Sequence, residues 1–358
     1  MNQASSQSPE MKFLVFGAGA IGTYIGGSLV LGGHQVVFVE QPKMAEELRT
    51  KGLRLDLTID ERRQTRDAFT VDPRSFVIEP SLESALKFGP FDAAIFALKS
   101  FDTLPAMEGL KPFADKLPPI VCLSNGVDNE PTIASALGAD KVIYGTVTTA
   151  IGRRGPGDIV LEKLRGVGIA AGHLLSERLV AAFDRSYLKC SLFPDALSMK
   201  WSKMLTNLIA NPTSAILNMT AAQVFANREL YALEIQMLRE CLRVMAAMNL
   251  SVVDLPGTPV RALALATTLP LWLSKPFLSR AAGGGRGGKM PSFHIDLYSG
   301  RSQSEVEYLH GAVVREGLAH GVQTPVNKVL TETLLALTRK EIPLEEFAGQ
   351  PEKLLAKL

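Results

Sequence analysis

The sequence is poor in the residues that mark several specialised classes of protein. Its 358 residues include three cysteines, five histidines and two tryptophans. Cys122, Cys190 and Cys241 are far apart and form no CxxC pair, so neither a disulfide framework nor a thiolate metal site fits. A reducing, cytoplasmic setting is expected. His34, His173, His294, His310 and His320 are dispersed, with no HExxH and no carboxylate at ligand spacing, so no metal is expected. No GxSxG or Cys–His arrangement marks a covalent nucleophile. Charge is nearly balanced, 38 Lys+Arg against 36 Asp+Glu, which argues against nucleic acid as a partner. The most apolar long window, Ala262 to Leu273, contains Pro270 and is closed by Arg261 and Lys275. It is about half of the ~20 residues a bilayer crossing requires, so a soluble protein without a membrane partner is expected. Residues 1–10 are polar and Ser/Gln-rich and read as a loose, disordered tail, not as a targeting segment.

What the chain does have is apolar substance, 46% of its residues, at a length that favours two domains. The N-terminal part alternates between the periods of strand and helix. An apolar run from Lys12 to Phe16 enters Gly17-Ala18-Gly19-Ala20-Ile21-Gly22, a helical pattern follows, and a second run, Val36 to Val39, ends at Glu40. In such a strand–loop–helix–strand unit Gly17 permits the tight turn, Gly19 lets a pyrophosphate approach the backbone, and Gly22 lets the helix pack on the strand. The helix N-terminus then offers N–H groups and partial positive charge to phosphates. Runs at Ala93–Leu98, Ile120–Leu123, Val142–Val147, Ile159–Leu161 and Val167–Ala171 extend the sheet, and Val71–Val77 adds a further strand. The alternation predicts an α/β, Rossmann-type doubly wound sheet over residues 11–194, with ligands at the carboxyl ends of its strands.

From residue 195 to 358 no strand pattern is found, and an all-α helical domain for substrate and catalysis is expected. Its helices are read at Ala196–Leu217, Ala221–Met248, Glu305–His320 and Pro325–Arg339, the last opened by a Thr324-Pro325 cap, with a glycine-rich break at Gly283–Gly288. Lys203, Asn207 and Asn211, spaced i, i+4, i+8, share one face of the first of these. An exposed polar face explains them; so does a ligand-facing stripe with Lys203 as proton donor, since a buried amide without partners costs about 1–3 kcal/mol. Ser304 and Glu307 form a capping-box pattern that accounts for Glu305 and Glu307 without any chemistry. Arg286 and Lys289, in the Gly283–Lys289 loop, suit an anionic ligand or a mobile surface loop equally well.

Together these residues resemble the ketopantoate reductase (2-dehydropantoate 2-reductase) family. The resemblance is carried by GAGAIG at residue 17, FALKSFDT at 96, LSNGVDNE at 123, KWSKMLTNLIANPTSAI at 200, and GRSQSEVEYLHGAVVREG with GVQTPVN from 300. It implies an NAD(P)-dependent oxidoreductase of pantothenate biosynthesis that transfers hydride to C2 of a 2-oxo acid, ketopantoate, to give pantoate. Lys203 falls on the family's catalytic lysine, which protonates the forming alkoxide. Asn207 and Asn211 fall on substrate-binding asparagines, Glu305 on the acid that holds the substrate's other hydroxyl, and Ser292 approximately on a carboxylate-binding serine. Gly17, Gly19, Gly22, Lys99, Asn125 and Ala150 fall on cofactor contacts. A cation aimed at developing oxyanion charge is the physically expected stabiliser.

The sequence also departs from the family pattern. Gln41 stands where an arginine holds the 2′-phosphate of NADP, and Glu40 before it suits the free 2′-hydroxyl of NAD. The resemblance thus implies NADP(H), whereas Glu40 and Gln41 point to NAD(H), with Lys43 still able to reach a phosphate. His310 stands where Asn is common, and the Ser292–Glu305 spacing is one residue longer than usual. These last two bear on the substrate, not on the reaction type. A reductase of a different 2-oxo acid, or a non-catalytic dinucleotide-binding sensor, remains an alternative. The oligomeric state is open, a homodimer included.

Overall fold

The first apolar run forms strand β1 (Lys12–Phe16), buried from Phe13 onward because both faces of its sheet are covered. Phe13 and Val15 join one hydrophobic cluster with Ile25 and Leu29, while Leu14 and Phe16 join another with Phe96 and Met107. This is the two-residue period of a strand with an apolar layer on each side. The computed structural model describes residues 10–284 and 290–358, so the tail expected over residues 1–10 lies outside the described residues except for Glu10.

The further strands are β2 (Gln35–Val39), β3 (Leu53–Asp56), β4 (Phe69–Val71), β5 (Val77–Glu79), β6 (Ala93–Phe96), β7 (Ile120–Cys122), β8 (Val142–Val147), β9 (Ala150–Gly155), β10 (Asp158–Lys163), β11 (Val167–Ala170) and β12 (Cys190–Phe193). Eight of the twelve build one sheet in the order β12-β11-β8-β7-β6-β1-β2-β5. Every pairing in it is parallel except that of β8 with β11. The winding reverses at β1, which pairs with β2 on one side and β6 on the other. The chain therefore has the Rossmann-type doubly wound sheet, and the loops leaving β1 and β6 diverge at its switch point, where such folds bind ligands.

A second sheet, in the order β4-β3-β10-β9, was not anticipated. The Ile159–Leu161 run belongs to it and not to the main sheet. Val71–Val77 is likewise two strands in two sheets, because Asp72-Pro73 interrupts it: the Asp72 carboxylate accepts the Arg74 N–H at 2.8 Å, and Pro73 opens a short 3₁₀ turn. The helix Ala20–Leu31 lies between the sheets, and Gly22 through Leu29 are all buried. A β-carbon on Gly26 would meet the Phe38 ring of β2 at 2.5 Å, and one on Gly27 would meet Leu55 of β3 at 2.8 Å. The helix is apolar all round because it is covered all round.

Two compact units are formed. One holds the chain up to Ser124, Asn129–Met199 and Leu255–Thr258; the other holds Asn125–Asp128, Lys200–Asp254 and the chain from Pro259. A single cut at residue 194 does not capture this, because the loop 125–128 hydrogen-bonds into the second unit while 255–258 follows the first. Among its described residues the second unit is helical. Here too the sequence reading needs correction: Ala196–Leu217 and Ala221–Met248 are each two helices, and Glu305–His320 is a 3₁₀ turn, Glu305–Tyr308, followed by the helix His310–Ala319. No helix among the described residues is long and apolar enough to cross a membrane.

A buried polar network ties three of these helices together. Glu240, fully buried, accepts from the N–H groups of Val326 (3.1 Å) and Asn327 (3.0 Å) and from the Asn327 amide (2.8 Å). The same amide donates to Met237 O, and its oxygen faces His310 Nδ1 at 3.0 Å. Glu240 thus does what Thr324 was expected to do, and Thr324 makes no side-chain cap. Burial pushes the His310 imidazole from 6.5 down to about 3, only partly opposed by the Asn327 hydrogen bond.

Two stability measurements follow from these contacts. A β-carbon on Gly22 would lie 2.0 Å from the Gly17 carbonyl oxygen, so Gly22→Ala should cost about 1–3 kcal/mol or more in urea unfolding. Gly19→Ala, with nothing within 4 Å, should cost nothing measurable. His310 has a folded pKa below its unfolded 6.5, so its contribution is complete above pH 6.5 and is lost as pH falls toward 3. Between pH 7.5 and 5 the wild type should lose about 2 kcal/mol more than His310→Asn. Equal losses would disprove the buried neutral histidine.

Candidate active site

In the first unit the site is a backbone cradle. Gly17 adopts φ +83°, a conformation that side chains disfavour, and its N–H donates to Val39 O at 2.9 Å, so the loop turns sharply over the end of β2. Gly22 permits the close return of the helix. Gly19 is exposed with open space where a β-carbon would be, which is the gap a pyrophosphate needs next to first-turn N–H groups that have no intrahelical acceptor. Glu40, at the end of β2, closes the cradle: its carboxylate accepts from the N–H groups of Ala18 (2.6 Å) and Gln41 (2.8 Å). The side chains of Gln41 and Lys43 are exposed.

Beyond β6, Leu98 packs against Gly17, and Lys99 precedes a 3₁₀ turn, Ser100–Asp102. Ser124 Oγ donates to Leu98 O at 2.8 Å, and Asn129 accepts from Thr103 Oγ1 at 2.7 Å, so the segments after β6 and β7 are bound to each other. Sequence reasoning missed Asn129, although it sits in the same LSNGVDNE stretch as Asn125. Ala150 opens β9, in the smaller sheet.

In the second unit the helix Ala196–Leu208 buries Trp201, Met204, Leu205 and Leu208 and leaves Lys203 and Asn207 half-buried, one turn apart. The face does not continue to Asn211 as a regular helix. Ala210 takes φ 53°, ψ 9°, and a new helix, Asn211–Leu217, starts after it. Asn211 stays with the stripe by another route. Its side-chain amide donates to Asn207 O at 3.1 Å, replacing the backbone N–H that an unbroken helix would have supplied. Its oxygen accepts from Phe293 N at 3.1 Å, and its amide lies 3.4 Å from Ser292 Oγ. Asn207 Nδ2 donates to Asn125 Oδ1 at 3.1 Å. Asn125, Asn207, Asn211 and Ser292, chosen from distant motifs, therefore form one hydrogen-bonded string.

Two further residues of this unit were not foreseen. Asp128 pairs with Arg315, which also donates to Glu307 O at 2.9 Å, and so holds the loop that carries Asn125. Burial pushes the Asp128 carboxyl up, and the adjacent guanidinium opposes it. Glu234 supports the joint at Ala210. Its sequence signal was an acid in the apolar phase of a helix, among Leu230, Leu233, Met237 and Leu238.

Glu305 is buried on its 3₁₀ turn, an element apart from the asparagine string. The capping box expected at Ser304 does not form: Ser304 Oγ accepts from Val306 N at 3.3 Å, and Glu307 is exposed. A complete capping box forms at Thr220 with Gln223. Arg286 and Lys289 lie outside the described residues.

The chain is also similar to known proteins. Residues 13–172 match the family model described as ketopantoate reductase PanE/ApbA, and residues 195–338 match its C-terminal model. The chain is 26% identical over 341 residues to a 2-dehydropantoate 2-reductase of Halobacterium salinarum, covering 92% of this chain and 100% of that protein. It is 27% identical over 332 residues to the one of Archaeoglobus fulgidus, covering 91% and 96%. Among solved structures, the fold is similar to a PanE/ApbA family ketopantoate reductase from Ralstonia eutropha (TM-score 0.75, 24% identity, 92% of this chain and 99% of that one). It is also similar to D-mandelate dehydrogenase with NADH and anilino(oxo)acetate (TM-score 0.73, 19% identity, 92% and 99%). With both family models matched in order, and with a glycine cradle on a doubly wound sheet ahead of a helical unit, the chain belongs to the ketopantoate reductase family of oxidoreductases.

Proposed function

We propose that the protein reduces a 2-oxo acid to the 2-hydroxy acid with a reduced nicotinamide dinucleotide, and that ketopantoate is the substrate. The observation that carries the reading is the hydrogen-bonded string of Asn125, Asn207, Asn211 and Ser292 on the unit that also presents Lys203 one turn from Asn207. A non-catalytic sensor has no use for such an assembly.

The open space at Gly19, the turn at Gly17 and the Glu40 carboxylate fit a dinucleotide. When bound, that cofactor supplies the hydride. The loop N–H groups hold its pyrophosphate, and Gly19 lets the phosphates reach the backbone. Lys203 is the proton donor to the alkoxide oxygen, and its positive charge stabilises that oxygen as charge develops. Asn207, Asn211 and Ser292 orient the 2-oxo acid. Glu305 accepts from the hydroxyl that ketopantoate carries apart from its 2-oxo group. Lys99, Asn125 and Ala150 are cofactor contacts of the same reading.

For the cofactor we propose a preference for NADH. Glu40 is already placed at the cradle as an acceptor, which suits a ribose 2′-hydroxyl, and the same carboxylate repels a 2′-phosphate. Exposed Lys43 offers a single point charge and not the bidentate fork of the missing arginine. A reducing, cytoplasmic setting agrees with Cys122, Cys190 and Cys241 being free thiols.

A spectrophotometric screen of 2-oxo acids against both reduced cofactors tests the reading. Ketopantoate should be the best substrate; the 2-oxo acid of mandelate belongs in the screen because a similar fold serves D-mandelate dehydrogenase. Lys203→Ala should lower kcat about 10²-fold or more with dinucleotide affinity unchanged, and an undiminished rate would remove Lys203 from its role. Gly19→Ala should weaken dinucleotide binding about tenfold or more at unchanged unfolding midpoint, since the added methyl occupies the phosphate gap. Fluorescence titration should show NADH binding more tightly than NADPH; the reverse order would overturn the Glu40 assignment.

A further inference from the structure

We infer that Glu234 is the positioning residue of the substrate site, acting on Asn211 through the left-handed joint at Ala210; this rests on the reading of Asn211 as a substrate contact. Glu234 is fully buried on the inner face of the helix Arg228–Ala247. One carboxyl oxygen accepts from Ala210 N at 2.7 Å and the other from Thr213 Oγ1 at 2.6 Å. A carboxyl group in an apolar interior is tolerated only where hydrogen bonds replace its lost hydration. Here both oxygens reach the short segment where one helix stops and the next begins.

The joint needs that support. Ala210 is a non-glycine residue at φ 53°, and it is fully buried, so water is not available to its N–H. Pro212 has no N–H and its ring would clash with the carbonyl of Leu208, so the chain breaks here, and an acceptor for Ala210 N–H fixes where the break falls. With the break at Ala210 the Asn211 side chain donates to Asn207 O at 3.1 Å and accepts from Phe293 N at 3.1 Å, and a shifted break would move both bonds. The joint is what makes a broken helix present Lys203, Asn207 and Asn211 as a set, and Glu234 holds the joint. It touches no substrate, so its effect is on geometry.

The test compares Glu234→Gln, Glu234→Ala and Thr213→Val in the full chain. A glutamine can still accept from Ala210 N while its amide donates to Thr213 Oγ1, so Glu234→Gln should keep KM within about threefold of wild type. Glu234→Ala should raise KM for the 2-oxo acid about tenfold or more, with dinucleotide affinity within about twofold, because misplacement by about 1 Å at an orienting group has effects of this size. Thr213→Val removes one of the two bonds and should act in the same direction if Glu234→Ala does not fold. The Asn211 side-chain amide signals, read in asparagine-labelled protein by two-dimensional NMR, should shift in Glu234→Ala and return in Glu234→Gln.

Unmoved Asn211 signals, or KM and dinucleotide affinity weakening together, would overturn the inference. The NMR readout needs no turnover. A wild type that reduces no 2-oxo acid would therefore refute the proposed reaction while the Asn211 signals still decide whether Glu234 sets the joint.

Discussion

The approach of Gly22 to Gly17 leaves 2.0 Å between a carbonyl oxygen and the place of an absent β-carbon. That clearance lets the first helix lie against β1, and the helix in turn separates the main sheet from the smaller one. Gly26 and Gly27 extend the same constraint along the helix, one toward Phe38 and the other toward Leu55. A side chain at these positions would push the helix off one sheet or the other, and the loop that turns over Val39 would move with it. The cradle geometry and the core of this unit are therefore one constraint. Gly19 has a different purpose, since nothing in the fold fills its space.

The helical unit solves a different problem. Its helices are short and often broken, so each break strands backbone donors inside the unit. Two buried acids on one helix deal with this: Glu234 serves the joint at Ala210, and Glu240 serves the start of the helix Pro325–Thr338. They lie nearly two turns apart and act as caps supplied from a distance. Such caps can sit where solvent-exposed serine or threonine caps cannot, and a charge-assisted hydrogen bond is about twice as strong as a neutral one.

Much of this was legible in the chain. Strands β1 and β8 match their apolar runs residue for residue, because a strand covered on both faces carries an uninterrupted signal. The glycine loop and Glu40 were legible because they flank one strand–loop–helix–strand unit of regular length. Strands β3 and β4 were not, being four and three residues long, and β9 was not, because Gly152-Arg153-Arg154-Gly155 interrupts its apolar signal. Lys203 and Asn207 were legible as neighbours one turn apart. The break after Leu208 had a signal that was passed over, Pro212, which cannot continue a helix; that Ala210 takes the left-handed backbone had none, since alanine does not prefer it.

The sequence by itself determined which residues are in the core of each unit, the order of strand and helix around the glycine loop, and the family to which the chain belongs. Those properties follow from periodicity and from turns only a few residues long. The tertiary structure alone decided that Asn211 reaches Asn207 through its side chain, that Asn125 joins the same string, that Asp128 is tied to Arg315, and that Glu234 and Glu240 cap helices to which they are not joined. Each of these depends on groups tens of residues apart meeting within about 3 Å, the distance at which a hydrogen bond acts. A local pattern shows that a polar group is present in an apolar phase; only the folded chain supplies its partner.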